Sequence, residues 1–156
     1  MKNTEAAFLW IVGILQGHKI PFLITGGFAA RLYGATRELA DIDLEIPEDR
    51  FSELLPELKD YSKFGLNQYR DEEFDVLLLS LLYEGQDIDI SGAYKTKIFD
   101  RDKKEWISTK SDFSKANPMI VYGIEVLVIE KNELIEYKKI LARDVDKIDV
   151  EQMTSN

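Results

Sequence analysis

Asp41, Asp43 and Glu45 alternate with Ile42, Leu44 and Ile46 in one six-residue stretch. In an extended strand, residues two apart share a face. The carboxylates of Asp41 and Asp43 therefore stand side by side and repel each other. A cation between them relieves that repulsion. Magnesium, a hard ion that takes oxygen ligands and bridges to substrate phosphates, suits such a pair. Upstream, Gly26-Gly27 follows the apolar run Pro21-Phe22-Leu23-Ile24-Thr25. Glycines between a strand and a helix let the backbone approach a phosphate, and the first free N–H groups of the helix favour an anion. Each feature also has a plainer reading. The glycines would make a tight turn, and the acids would form the solvated face of an edge strand, a reading that Glu45 extends. Glu45 itself reads as structural or rim.

A glycine pair after a strand, then a helix, then Asp-x-Asp on the next strand resembles the nucleotidyltransferase superfamily with the DNA polymerase beta-like palm. The same head domain occurs in CCA-adding enzymes, in aminoglycoside and lincosamide nucleotidyltransferases and in small bacterial stand-alone proteins. The resemblance implies that Gly26 and Gly27 hold the triphosphate of a nucleotide. It also implies that Asp41 and Asp43 bind magnesium, and that a third acid on a later strand completes the site. The stretch Leu81-Leu82-Tyr83-Glu84-Gly85-Gln86-Asp87-Ile88-Asp89-Ile90 is similar to the later hairpin of that family. Counting from Gly85, Asp89 is the match, and Asp87 is its rival on the same face. Arg37 matches a basic residue common before the Asp pair. Leu39 stands where Thr is usual.

Towards the end of the chain, Gly123 to Val128 resembles the strand before the family's last helices. Lys138, Arg143, Asp146 and Asp149 follow the helical pattern after it, with Val145 in place of a common Lys. The resemblance spans roughly residues 20 to 152. Arg37 either binds the triphosphate or pairs with a carboxylate, in the site or on the surface. Lys138 reads by default as a solvated helix charge, with a reach to the nucleotide as the alternative. Arg143, Asp146 and Asp149 tie the last two helices together. His18, the only histidine, reads as a cap or surface residue rather than a catalytic base.

The elements that must position these groups form an α+β pattern: a small mixed β-sheet with flanking helices. A helix is expected over residues 4 to 17, capped by Thr4, followed by a strand at 22–25 and a helix from Phe28 to Tyr33. The acid strand at 41–46 ends at Pro47. Pro47-Glu48-Asp49 then opens a helix that runs to about Asp60. Residues 74–84 and 87–91 read as a hairpin, although the apolar run Val76 to Leu82 fits a buried strand or a helix equally. Asp100 to Glu105 reads as a loop, and 120–122 with 124–128 as short strands. Helices at about 130–142 and 145–153 follow. The tyrosines show no stacking pattern and default to core or rim.

A chain of 156 residues with 45% hydrophobic and 31% charged residues suits one globular domain, with a motif-bearing core at about 20–128 and the C-terminal helices at 130–153. There is no cysteine, hence no disulfide and no thiolate metal site, which is compatible with a reducing cytoplasm. The apolar run Ala6 to Leu15 is too short to span a bilayer and lacks a signal-peptide cleavage pattern, so it reads as a buried first helix. The net charge of -9 makes nucleic acid an unlikely partner and favours a small-molecule or protein acceptor.

The expected activity is that of a magnesium-dependent nucleotidyltransferase with two metal ions. It would move a nucleoside monophosphate from NTP to an acceptor hydroxyl and release pyrophosphate. The alternative is a binding module of the same fold, catalytically retired or antitoxin-like, that holds a partner protein.

Overall fold

The computed structural model describes residues 1–155. The order is α1 (Thr4–Gly17), β1 (Leu23–Ile24), α2 (Gly26–Leu32), β2 (Asp41–Ile46), α3 (Phe51–Leu58), β3 (Ser62–Arg70), β4 (Phe74–Tyr83), β5 (Gln86–Gly92), β6 (Thr96–Asp100), β7 (Glu105–Thr109), β8 (Asn117–Val121), β9 (Ile124–Val128), α4 (Lys131–Leu141) and α5 (Asp144–Thr154). The fold is mixed α and β, as expected, but the sheet is not small: nine strands join it among the described residues. The path runs β7-β6-β4-β5-β2-β1-β9-β8, and β3 adds to β4. The pairing is mixed. β2 runs parallel to β5 and antiparallel to β1, and β1 runs parallel to β9.

The acid strand lies in the interior of this sheet. Ile42, Leu44 and Ile46 are fully buried, while Asp41, Asp43 and Glu45 take the opposite face. Both neighbours of β2 are strands, so the edge-strand reading does not hold. The buried face packs into one cluster with Ile88 and Ile90 of β5, Phe8, Ile11 and Leu15 of α1, and Phe51, Leu54 and Leu58 of α3. In both helices the buried residues recur at three- and four-residue steps, the spacing of one helical face. Burial of such side chains is the main force that fixes β2 in register.

Several elements differ from expectation. The α1 cap is Asn3, whose side chain accepts the Ala6 amide at 3.0 Å. The Thr4 hydroxyl is instead directed to Gln86 Oε1 at 2.6 Å. Helix α2 begins at Gly26 rather than Phe28, because Gly26 takes the left-handed φ of +59° that redirects the chain out of β1. The run Val76 to Leu82 is strand, paired on both sides with β3 and β5. Strand β3 had no signal in the sequence, since almost all of it is exposed and it carries no alternation. Within the charged stretch 100–105, residues 101–104 form the turn of a hairpin between β6 and β7, and Asp100 pairs with Glu105 at its base; these strands were not expected. Among the described residues, no helix is long and apolar enough to cross a membrane.

Candidate active site

Register brings the acids together. Asp43 on β2 lies opposite Asp89 on β5, and Asp41 lies opposite Asp87. The carboxylates of Asp41, Asp43 and Asp89 each offer an oxygen, and these three atoms lie within 4.8 Å of one another. Asp87 is not part of this group. Its carboxylate turns outward to the Lys63 ammonium on β3, at 2.8 Å. The geometry thus favours Asp89 over Asp87 as the third member of the cluster.

Each acid is held by a local partner. The Gly27 amide donates to Asp43 Oδ2 at 3.1 Å, so the turn between β1 and α2 is tied to the acid strand. A Cβ on Gly26 would stand 2.7 Å from Asp43 Cγ, which makes glycine obligatory there on both φ and space. The Ser80 hydroxyl of β4 donates to Asp89 Oδ1 at 2.8 Å and leaves Oδ2 free of a protein partner among the described residues.

The electrostatics of the cluster are unfavourable without a cation. Burial, and then the charges of Asp41 and Asp89, push the Asp43 carboxyl up to about 8. The Gly27 amide and the more distant Lys138 act against this shift without cancelling it. Burial followed by Asp89 and Asp87 raises Asp41, and burial raises Asp89. Three oxygen-bearing acids that disfavour one another's ionisation form a donor set suited to a hard divalent ion.

The cluster opens into a cleft of about 1010 Å³. Gly26, Gly27, Arg37 and Lys138 all line it, together with Asp41, Asp43 and Asp89. Lys138 is not the solvated charge that its helix position suggests. Only 2% of its side chain is exposed, and its ammonium lies 3.3 Å from Asp146 and 3.0 Å from Asp149. Arg37 pairs with the buried Asp149. Asp146 also accepts the Arg143 backbone amide at 3.1 Å and its side-chain Nε at 2.7 Å. These acids therefore join α4 to α5, and Asp149 extends the tie to the loop before β2. His18 caps α1 and meets Glu57 at 2.9 Å on the surface.

Some groups of the cleft were missed or undervalued in the sequence. Glu45 faces the cleft and accepts from the Ser111 hydroxyl; burial pushes its carboxyl up to about 7. The Tyr137 phenol of α4 is raised by burial and by the negative charge of Glu45. Ser80 carried a readable signal: it is the one polar residue in the run Val76 to Leu82. Lys63 and Ser111 carried none, because both sit in segments without periodicity.

No protein-family model and no curated protein sequence matches the chain. Solved structures do. A Thermotoga maritima protein classed as a nucleotidyltransferase is similar at a TM-score of 0.71 and 18% identity, covering 99% of this chain and 96% of its own. The lincosamide antibiotic adenylyltransferase LnuA, solved with lincomycin, gives 0.65 at 15% identity, with 99% and 98% covered. ANT(2'')-Ia, solved with adenylyl-2''-tobramycin, gives 0.62 at 16% identity, with 97% and 88% covered. At such identities the likeness establishes the fold, which is that of the nucleotidyltransferases.

Proposed function

From this fold, we propose that the chain is a magnesium-dependent nucleotidyltransferase that moves a nucleoside monophosphate from NTP to a hydroxyl of a small molecule. The observation that carries the reading is the convergence of Asp41, Asp43 and Asp89, with one oxygen of each within 4.8 Å of the others. Asp41, Asp43 and Asp89 would hold the metal. When bound, magnesium neutralises the triphosphate and polarises the α-phosphate. The glycine turn suits a phosphate chain, since Gly26 and Gly27 lie against Asp43 and both line the cleft.

In this reading, Gly26 and Gly27 receive the β- and γ-phosphates and fix the α-phosphorus beside the acids. The acceptor oxygen attacks that phosphorus on the side away from pyrophosphate. Asp89 helps to take the proton of the acceptor hydroxyl, while the Ser80 hydroxyl, donating to Oδ1, fixes the carboxylate plane. The bond from the α-phosphorus to the bridging oxygen breaks, and its electron pair leaves with pyrophosphate. Most of the rate comes from positioning and charge, as in phosphoryl transfer generally.

Two observations support a small acceptor. The cleft extends past the acids to Glu45, Ser111 and Tyr137, leaving polar groups that a nucleotide at the glycine turn does not need. Moreover, two proteins of the same fold hold lincomycin and adenylyl-2''-tobramycin. The net charge of -9 opposes a polynucleotide acceptor. The test is a screen of each NTP with magnesium against small-molecule and cell-extract acceptors, following pyrophosphate and labelled product. Product with at least one acceptor, lost in Asp43→Asn, is expected. Acceptor-independent pyrophosphate release, or product formation that survives Asp43→Asn, would refute the reading.

A further inference from the structure

Asp149 lies on α5, more than 100 residues from Asp43 in sequence, yet it is fully buried and lines the same cleft. Its carboxylate makes three bonds. Oδ1 accepts Arg37 Nε at 3.3 Å; Oδ2 accepts Arg37 Nη2 at 2.8 Å and lies 3.0 Å from the Lys138 ammonium. A guanidinium held at two points is fixed in plane and direction, unlike one held at a single point.

The place where Arg37 is fixed matters. A Cβ built on Gly27 would lie 3.5 Å from Arg37 Nη2 and 3.9 Å from Asp43 Oδ2. The guanidinium and the most buried acid of the cluster thus flank the same glycine. Arg37 Nη1 has no hydrogen-bond partner among the described residues, and 32% of the side chain remains exposed.

Charge bookkeeping adds a second argument. The knot behind the cleft contains Lys138, Arg143 and Arg37 against Asp146 and Asp149. Two acids are matched against three bases, so one positive charge is in surplus. Lys138 is enclosed, and Arg143, as exposed as Arg37, is held by Asp146, which leaves Arg37 as the base of the knot that lies beside Gly27.

We propose that Asp149 is a positioning residue that aims the Arg37 guanidinium at the phosphates of the nucleotide, and so sets the preference for a triphosphate over a monophosphate. The inference rests on the nucleotidyl-transfer reading above. A structural role alone would tie α5 to the loop before β2 and leave nucleotide discrimination untouched.

The test measures magnesium-supported binding of a non-hydrolysable NTP analogue and of the matching NMP to the whole chain by calorimetry. The readout is the ratio of the two affinities, with folding checked by circular dichroism. Asp149→Asn is expected to lower the ratio at least about tenfold, the scale of one charge-assisted contact. Arg37→Ala should lower it equally, and the double variant no further. Arg37→Lys keeps the charge but not the two-point hold, and should also lose the preference; it decides the matter if Asp149→Asn does not fold. An unchanged ratio in folded Asp149→Asn or in Arg37→Lys, or additive losses in the double variant, overturns the inference alone. Failure of the parent chain to bind the NTP analogue with magnesium overturns the nucleotidyl-transfer reading, and this inference with it.

Discussion

Gly27 donates its amide to Asp43 Oδ2 at 3.1 Å, so the turn that would receive phosphates and the acid that would face them are one hydrogen-bonded unit. That bond is the main local support for a buried carboxylate that otherwise sees two like charges. Such an arrangement is costly without a cation, and the cost is measurable.

In the metal-free fold, burial first and then Asp41 and Asp89 raise the Asp43 carboxyl from an ordinary 3.8 to about 8. Across that interval the folded chain binds more protons than the unfolded one. Stability in chelator should therefore fall as pH rises from about 4 to about 8. Glu45, raised from 4.5 to about 7, acts with the same sign. Thermal melts in chelator check this: Asp43→Asn should flatten the slope and melt higher than the parent at pH 8. Magnesium should flatten the slope of the parent chain as well.

Asp89 and Asp87 are two residues apart on one face, but only Asp89 joins the cluster. Asp89→Asn should remove turnover, whereas Asp87→Asn, which only releases Lys63, should keep most of it. Ser80→Ala frees the Asp89 carboxylate to rotate. It should lower kcat by about 10–100-fold, the usual cost of losing an outer support, with little change in KM for NTP. Steady-state kinetics of the three variants separate these effects.

Asp146 is fully buried and bonded to both Lys138 and Arg143. Asp146→Ala leaves Lys138 enclosed with one acid instead of two and removes the cap of α5. A loss of about 3–5 kcal/mol in folding stability is expected, as for other broken buried pairs. Urea unfolding measures it. Lys139→Ala, on an exposed pair of the same helix, should change stability by about 0–1 kcal/mol and serves as the control.

The readable part of this chain was the part where chemistry and periodicity coincide. Asp41 and Asp43 could be placed on one face because Ile42 and Leu44 demand the other, and β2 shows that alternation intact. Helices α1, α4 and α5 followed from their apolar spacing. Strand β3 could not be read, since a nearly exposed strand has no buried face to announce it. The β6–β7 hairpin hid behind the charges of its own turn. Lys138 reads by default as solvated because its partners, Asp146 and Asp149, come from the next helix, and helix periodicity gives no account of contacts between helices. The cap of α1 went to Asn3 because Thr4 was claimed by Gln86, a residue 82 positions away.

Titration of NTP into the chain, with magnesium and again in chelator, tests most directly whether Asp41, Asp43 and Asp89 hold a metal for a nucleotide. Calorimetry should show binding with magnesium and much weaker binding without it, because bare carboxylates repel a triphosphate. Asp43→Asn should lose the magnesium-dependent increment. Equal affinity in chelator and in magnesium would contradict the account.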